Sequence, residues 1–176
     1  HHDVGQVGRL LPAFLREHPD PERPWLADLA ELEWARNEVF FAPAESPVEP
    51  GALGALGPEA FAATGIAVSA ALRVLVLDHA IAPLWRQLEK GEPPDPPPAG
   101  TSPVAVWRKG FDVYHCALAL DEAIALERAA LGDSLAAVCA AFGDGEDPAL
   151  AASGAIASWF AEGWVVGLED PGGERP

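Results

Sequence analysis

Prolines constrain this sequence more than any other feature. Because proline lacks a backbone N–H and clashes with the preceding helical turn, it is tolerated at helix starts and in loops but not inside helices or central strands. Pro24 stands at the start of a helical pattern over residues 24–41, and Pro43 and Pro47 follow it. Five prolines within residues 91–100 predict a loop, which separates either two halves of one sheet or two lobes.

Hydrophobic patterning between these breaks predicts an α+β protein, mostly helical with a small antiparallel sheet. Before the proline-rich loop, short helices are expected over residues 10–16 and just before Gly65. A Val- and Ile-rich strand is expected to end near Asp78, with Leu72, Val74 and Val76 on one face. A helical turn should follow that strand.

After the loop, the pattern predicts a β-hairpin with its turn at Lys109 and Gly110. Three helices and a last strand, WVVGLE, should follow, with helix caps at Asp121, at Asp133 or Ser134, and at Asp147. Hairpin, helices and closing strand together are similar to a winged-helix arrangement. We therefore expect a helical segment over residues 1–65 and a winged-helix-like α+β domain over residues 66–170.

Two polar residues interrupt the apolar stripe expected on the helix of residues 24–41. At 100° per residue, Glu33 and Asn37 fall in the middle of this stripe, which is formed by Leu26, Leu29, Ala30, Phe40 and Phe41. A carboxylate in an apolar site must be paired, hydrogen-bonded, protonated or at an interface. Glu33 therefore has two interpretations. It is either a structural bracket, which ties the helix to the strands by accepting hydrogen bonds from backbone amides or from Arg73 or Arg108, or a contact for a partner.

In the partner interpretation, Trp25 and Trp34 are aromatic anchors on the same helix. The alternative for each tryptophan is core packing. A third hypothesis, an enzyme with Glu33 as general base, would require a pocket facing Glu33 and a perturbed titration.

The charge of the chain argues against nucleic acid as a partner. With 27 acidic and 11 basic residues, the net charge is −16 and the pI is near 4.5. Such a field repels a phosphate backbone. The predicted helix over residues 147–162 also contains no Lys, Arg, Asn or Gln that would contact base edges.

No motif predicts catalysis. A metal site from Asp78, His79, His115 and Cys116 lacks the paired spacing of zinc ligands, and neither GxSxG nor a phosphate-binding loop is present. Cys116 and Cys139 are expected to be buried thiols rather than a disulfide. With no export signal and no membrane-length apolar run, we expect a cytoplasmic, non-enzymatic protein without a cofactor or membrane contact.

Three stretches carry a resemblance to a known family, LADLAELEWAR at 26–36, VWR at 106–108 and DEAIAL at 121–126, within a similarity over about residues 9–168. They resemble the bacterial HvfC/BufC-type DNA-binding-domain family, whose members accompany multinuclear non-haem iron oxidases. Members carry a further helical region upstream. This and the absence of methionine lead us to expect that the chain is a fragment of a longer protein.

The resemblance implies a helper in the maturation of a ribosomally synthesised precursor peptide. Such a protein would form a heterodimer with the oxidase, whose own residues hold the iron, and would bind the peptide leader. Its winged-helix-like part would act as a peptide recognition element, to which the leader adds as a strand at the hairpin edge. The residues expected to contact the oxidase or peptide are Trp25, Glu33, Trp34, Asn37, Trp107, Arg108 and Phe111. The alternative function is a winged-helix transcriptional regulator that binds DNA.

Overall fold

Four helices precede the first strand in the described part of the chain, and strands and helices are mixed after that point. The structure is a computed structural model that describes residues 8–143 and 146–169. Within this part of the chain the α-helices and β-strands are, in order, α1 Leu11–Glu17, α2 Leu26–Phe41, α3 Gly51–Gly54, α4 Pro58–Ala63, β1 Gly65–Val68, β2 Leu72–His79, α5 Ile81–Glu89, β3 Ala99–Lys109, β4 Asp112–Ala117, α6 Leu120–Ala130, α7 Leu135–Cys139, α8 Pro148–Ala161 and β5 Val165–Glu169, and a short 3₁₀ helix, Ala140–Phe142, follows α7. The expected α+β class, with more helix than strand, is confirmed.

The chain divides into two units, and each is built from two stretches of sequence. Among the described residues, the first unit contains residues 8–41 and 75–118, and the second contains residues 42–74, 119–143 and 146–169. These boundaries differ from the expected division after residue 65. The proline-rich segment lies between α5 and β3 within the first unit, so together with α5 it forms the connection between β2 and β3 of one sheet.

The sheet of the first unit has the strand order β2–β3–β4. Strands β3 and β4 form the predicted hairpin, with antiparallel register from Val104 opposite Ala117 to Lys109 opposite Asp112. The turn residues are therefore Gly110 and Phe111, one position later than predicted. Gly110 has φ +66°, the left-handed conformation that a two-residue hairpin turn requires and that glycine adopts without strain.

Helix α2 packs against β3, β4 and α5 and buries one face. The buried face follows a 4-3-4 spacing, which keeps residues on one side of a helix, and contains Asp28, Leu32, Ala35 and Val39. Leu32 and Val39 join a core completed by residues of β2, α5 and β3, namely Leu77, Ile81, Leu84, Val104 and Val106.

The predicted stripe on α2 is correct at its start, where Ala30 is buried and Leu26 and Leu29 pack against the core, and wrong from Glu33 onwards. Glu33 and Asn37 are exposed to solvent. The side chains of Phe40 and Phe41, which set the phase of that prediction, are 45% and 73% exposed at the end of the helix. The face of α2 that packs on the sheet is instead the one that contains Leu32 and Val39. Glu33 and Asn37 therefore lie outside the buried face.

The strand predicted before Asp78 is broken into β1 and β2 by residues 69–71. The predicted face is also wrong for Val76, whose side chain is 62% exposed, whereas its neighbour Leu77 is 1% exposed. Side chains alternate across a strand, so the core side of β2 in the first unit is that of Leu75 and Leu77.

In the second unit, β1 and β5 form a separate two-stranded antiparallel sheet, from Gly65 opposite Glu169 to Val68 opposite Val165. The closing strand therefore pairs with β1 and not with the hairpin. The winged-helix arrangement stays a prediction.

The helix caps of the second unit follow the sequence with one exception. The side chains of Ser134 and Asp147 accept hydrogen bonds from the N–H groups of Ala137 and Leu150, as expected at helix starts. The predicted cap at Asp121 is wrong, because α6 begins one residue earlier, at Leu120.

Candidate functional site

A groove of about 640 Å³ opens on the first unit beside β4. One wall is α5, which contributes Trp85, Arg86 and Glu89, and Arg36 of α2 also lines the groove. The other side is the run of residues 111–115, from the hairpin turn into β4. Helix, strand and turn of one unit therefore enclose a single concave surface.

The lining by β4 indicates that the groove follows a strand edge. Residues on one face of a strand occur at alternate positions, yet residues 111–115 contact the groove consecutively. In the sheet order β2–β3–β4, the strand β4 is also an edge strand in the described part of the chain. An edge strand presents backbone N–H and C=O groups that another extended chain can pair with.

Arg36 is held by an aromatic ring and an imidazole. Its guanidinium carbon lies 4.1 Å from the centroid of the Trp85 ring, a cation–π distance. Its Nη1 donates to Nδ1 of His115 at 3.0 Å. The Trp85 and His115 rings meet edge to face, with centroids 4.9 Å apart. Burial lowers the pKa of Arg36, while Glu89 and Glu33 act in the opposite direction.

His115 is neutral at physiological pH. Burial, and then the positive charges of Arg36 and Arg86, lower its pKa to about 4 from an ordinary value of 6.5. The backbone of Ala82 faces the ring and raises the pKa of His115. Among the described residues, however, Nε2 makes no hydrogen bond of normal geometry. A neutral ring with Nδ1 as acceptor is the form that the Arg36 hydrogen bond requires.

Two aromatic side chains of the hairpin border the groove at the surface. Phe111, at the turn, is 90% exposed, and Tyr114 is 45% exposed. Tyr114 stacks on its cross-strand neighbour Trp107, with ring centroids 5.7 Å apart, so its position is fixed by the sheet. Phe111 and Tyr114 therefore place exposed aromatic surface at the rim of the groove.

The structure brings only one of the seven predicted contact residues, Phe111, to this groove. Trp25 and Trp107 are each 8% exposed, so their large rings serve the interior rather than the surface. Trp34 is partly buried and lies against Gly8. Glu33 and Asn37 are exposed on α2, outside the groove lining.

Arg108 has a structural role that its sequence position did not reveal. Its Nε donates to the carbonyl oxygen of Val39 at 3.1 Å, and its Nη1 donates to that of Gly110 at 3.2 Å. The side chain therefore ties the end of α2 to the hairpin turn and satisfies a carbonyl of the last helical turn.

Sequence reasoning missed Arg36 and Trp85 as site residues and considered His115 only as a metal ligand. Their approach depends on the packing of α2 and α5 on β4, which no local pattern encodes. In residues 8–143 and 146–169, no group of three or more His, Cys, Asp or Glu side chains is arranged to hold a metal ion. No helix among these residues has the length and apolarity to cross a membrane.

A carboxylate does bracket α2 to the sheet, but it is Asp28 and not Glu33. Asp28 is 3% exposed, and its Oδ2 lies 2.7 Å from Nδ1 of His79. The same oxygen accepts a hydrogen bond from the backbone N–H of Asp78 at 3.2 Å. Arg16 of α1 approaches the other oxygen at 3.8 Å and also pairs with Glu31.

Comparison of the sequence with models of known protein families, and with curated proteins, finds no match.

Proposed function

We propose that this chain is a non-catalytic partner of a multinuclear non-haem iron oxidase and binds the leader of a ribosomally synthesised precursor peptide. The observation that carries the proposal is the groove along β4, which is an edge strand among the residues that the structure describes, with α5 as the wall of the groove. In strand addition, an extended peptide gains affinity from main-chain hydrogen bonds and specificity from alternate side chains in pockets. An edge strand beside a helix provides both.

The dimensions of β4 limit the length of the peptide segment that is bound. The strand has six residues, Asp112–Ala117. At about 3.4 Å per residue, an added strand of matching length spans about 20 Å. We therefore propose that about six residues of the leader pair with β4, and that one of its side chains contacts the exposed ring of Phe111.

In this function the chain binds and positions the precursor peptide, and the oxidase catalyses its modification. The peptide would be held by the recognition-element-like groove in the cytoplasm, while the iron ligands belong to the oxidase in the heterodimer. The sequence resemblance at residues 26–36, 106–108 and 121–126 supports this assignment of partner. The proposed function predicts that the gene for this chain lies beside genes for such an oxidase and for a short precursor peptide.

The test is binding of the leader peptide encoded beside this gene, labelled and measured by fluorescence anisotropy. Phe111→Ala should weaken binding about tenfold, because truncating an aromatic contact at a peptide interface typically removes that much affinity. Phe41→Ala is the matched control, because Phe41 is 73% exposed but does not line the groove. Equal affinities for the two variants would contradict the proposal.

Co-expression with the neighbouring oxidase tests the second half of the proposal. The two proteins should co-purify in equal amounts with iron in the complex, and the isolated chain should leave the precursor peptide unchanged. Recovery of the oxidase alone would contradict the proposed partnership. Retardation of random duplex DNA by micromolar protein at low salt would favour the DNA-binding alternative, against which the net charge of −16 argues.

A further inference from the structure

Arg36 differs from Arg16 and Arg23 of the same unit, which both pair with carboxylates. Arg16 pairs with Glu31, and Arg23 pairs with Asp20 at 2.7 Å. Arg36 is partly buried, yet no carboxylate oxygen lies within 4 Å of its guanidinium in the described part of the chain. A desolvated guanidinium without an anion is costly unless a ligand supplies one.

The protein holds this guanidinium in one orientation before any ligand binds. The Trp85 ring, whose centroid is 4.1 Å from the guanidinium carbon, packs against one face of the group. Nδ1 of His115 accepts a hydrogen bond from Nη1 of Arg36 at 3.0 Å. A guanidinium has five N–H donors in a rigid fork, so this hydrogen bond leaves most of them for a ligand in the groove. A pre-oriented fork is suited to a carboxylate, which it can bind through two parallel hydrogen bonds.

The other charges that line the groove decide between a peptide and a polyanion. Arg36 and Arg86 are balanced by Glu89 and Asp112, so the groove is close to neutral in a chain of net charge −16. A phosphate polymer would meet both carboxylates along its length. A peptide with one acidic side chain among neutral or basic residues matches the mixed charges.

We propose that the groove selects an extended peptide segment with one Asp or Glu side chain, and that Arg36 binds its carboxylate, assisted by Arg86. This rests on the proposed function, because it assigns a sequence preference to the same strand edge. Arg36 contacts the ligand directly, while Trp85 and His115 are positioning residues for the guanidinium. The apolar contact of the segment is the exposed ring of Phe111.

The experiment is selection of peptides from a phage-displayed library of random 12-residue sequences on the purified full chain. Peptides selected by the wild type should contain an Asp or Glu at one shared position, and selection on Arg36→Gln should lose this preference. Calorimetry with synthetic selected peptides should give about 10- to 100-fold weaker binding when that acidic residue is replaced by its amide. Arg36→Gln should remove the difference between the two peptides.

Three further variants separate contact from folding. Arg23→Gln is the matched control, because Arg23 lies outside the groove. The affinity of this variant for the acidic peptide should equal that of the wild type. Arg86→Gln replaces an exposed residue and should weaken binding of the acidic peptide several-fold without changing the melting temperature of the protein. Glu89→Gln should tighten binding several-fold, because it removes a carboxylate whose charge acts on Arg36. A gain of affinity cannot come from unfolding.

The outcomes distinguish this inference from the function on which it rests. Selected peptides without a shared acidic position, or equal affinity of the acid and amide peptides, would overturn the carboxylate preference and leave strand addition standing. Acid-dependent binding of selected peptides, together with no binding of the encoded leader, would support the site and overturn the proposed function. If no peptide is selected, both are overturned.

Discussion

The carboxylate of Asp28 and the imidazole of His79 lie 2.7 Å apart, from Oδ2 to Nδ1, and join the first turn of α2 to the end of β2. Asp28 is 3% exposed and also accepts the backbone N–H of Asp78. The contact fixes the helix that carries Arg36 to the sheet that carries the groove. The candidate site therefore depends on a buried polar bracket within its own unit.

Asp28→Ala should lower the free energy of unfolding by about 3 kcal/mol, because it leaves a buried N–H group and an imidazole without their acceptor. Glu33→Ala, at the exposed position on the same helix, should change it by less than about 0.5 kcal/mol. Urea denaturation at pH 7 measures both. If Glu33→Ala were the more destabilising, Glu33 would be the bracket after all.

His115 should make stability depend on pH between its unfolded and folded pKa values. The folded pKa is about 4 and the ordinary value is 6.5, so between these limits the unfolded chain binds the proton and the folded chain does not. Stability from this residue is complete above pH 6.5 and is lost as the pH falls towards 4.

We therefore expect the wild type to lose about 2 kcal/mol relative to His115→Gln between pH 7 and pH 4.5, after allowance for partial solvent screening. Glutamine can still accept the Arg36 hydrogen bond, and it has no charge to gain. Denaturation curves of both proteins across this range measure the difference. Parallel loss of stability in the two proteins would mean that His115 titrates normally.

The hairpin turn separates structural from contact residues at adjacent positions. Gly110→Ala should cost about 1 kcal/mol or more, because alanine is strained at φ +66°. Phe111→Ala should leave the melting temperature nearly unchanged, because the ring is 90% exposed. Thermal unfolding followed by circular dichroism tests both. A large loss in Phe111→Ala would assign the ring to folding instead.

Cys139 should react slowly with thiol reagents in the folded protein. Burial raises the pKa of its thiol, and the thiolate is the reactive form. At pH 8, alkylation of Cys139 followed by mass spectrometry should be about tenfold slower than in urea. Equal rates would show that the residue is accessible and ordinary. Cys116 and Cys139 are not joined in a disulfide, as expected, but both are partly exposed rather than fully buried.

Local signals in the sequence predicted the elements well. Helix α2 ends at Phe41, just before Pro43, and Ser134 and Asp147 cap helices where the sequence places a cap. These features depend on backbone chemistry within a few residues, so they can be read without knowledge of the fold.

The buried faces and the site were not predicted, because they depend on which elements pack together. Nothing near Asp28 in the sequence indicates that His79 will be its partner, and the terminal Phe40 and Phe41 favoured a wrong face of α2. Arg36, Trp85 and His115 come from three separate elements. Their meeting follows from the packing of α2 and α5 on β4.

Amide hydrogen exchange of the chain with and without the encoded leader peptide tests strand addition at β4 most directly. An added strand makes hydrogen bonds with outward-facing backbone amides of residues 112–117, so these amides should exchange more slowly in the complex. Protection confined to this strand, with the residues of β2 unchanged, is the predicted result. Binding of the leader without added protection in β4 would contradict the account.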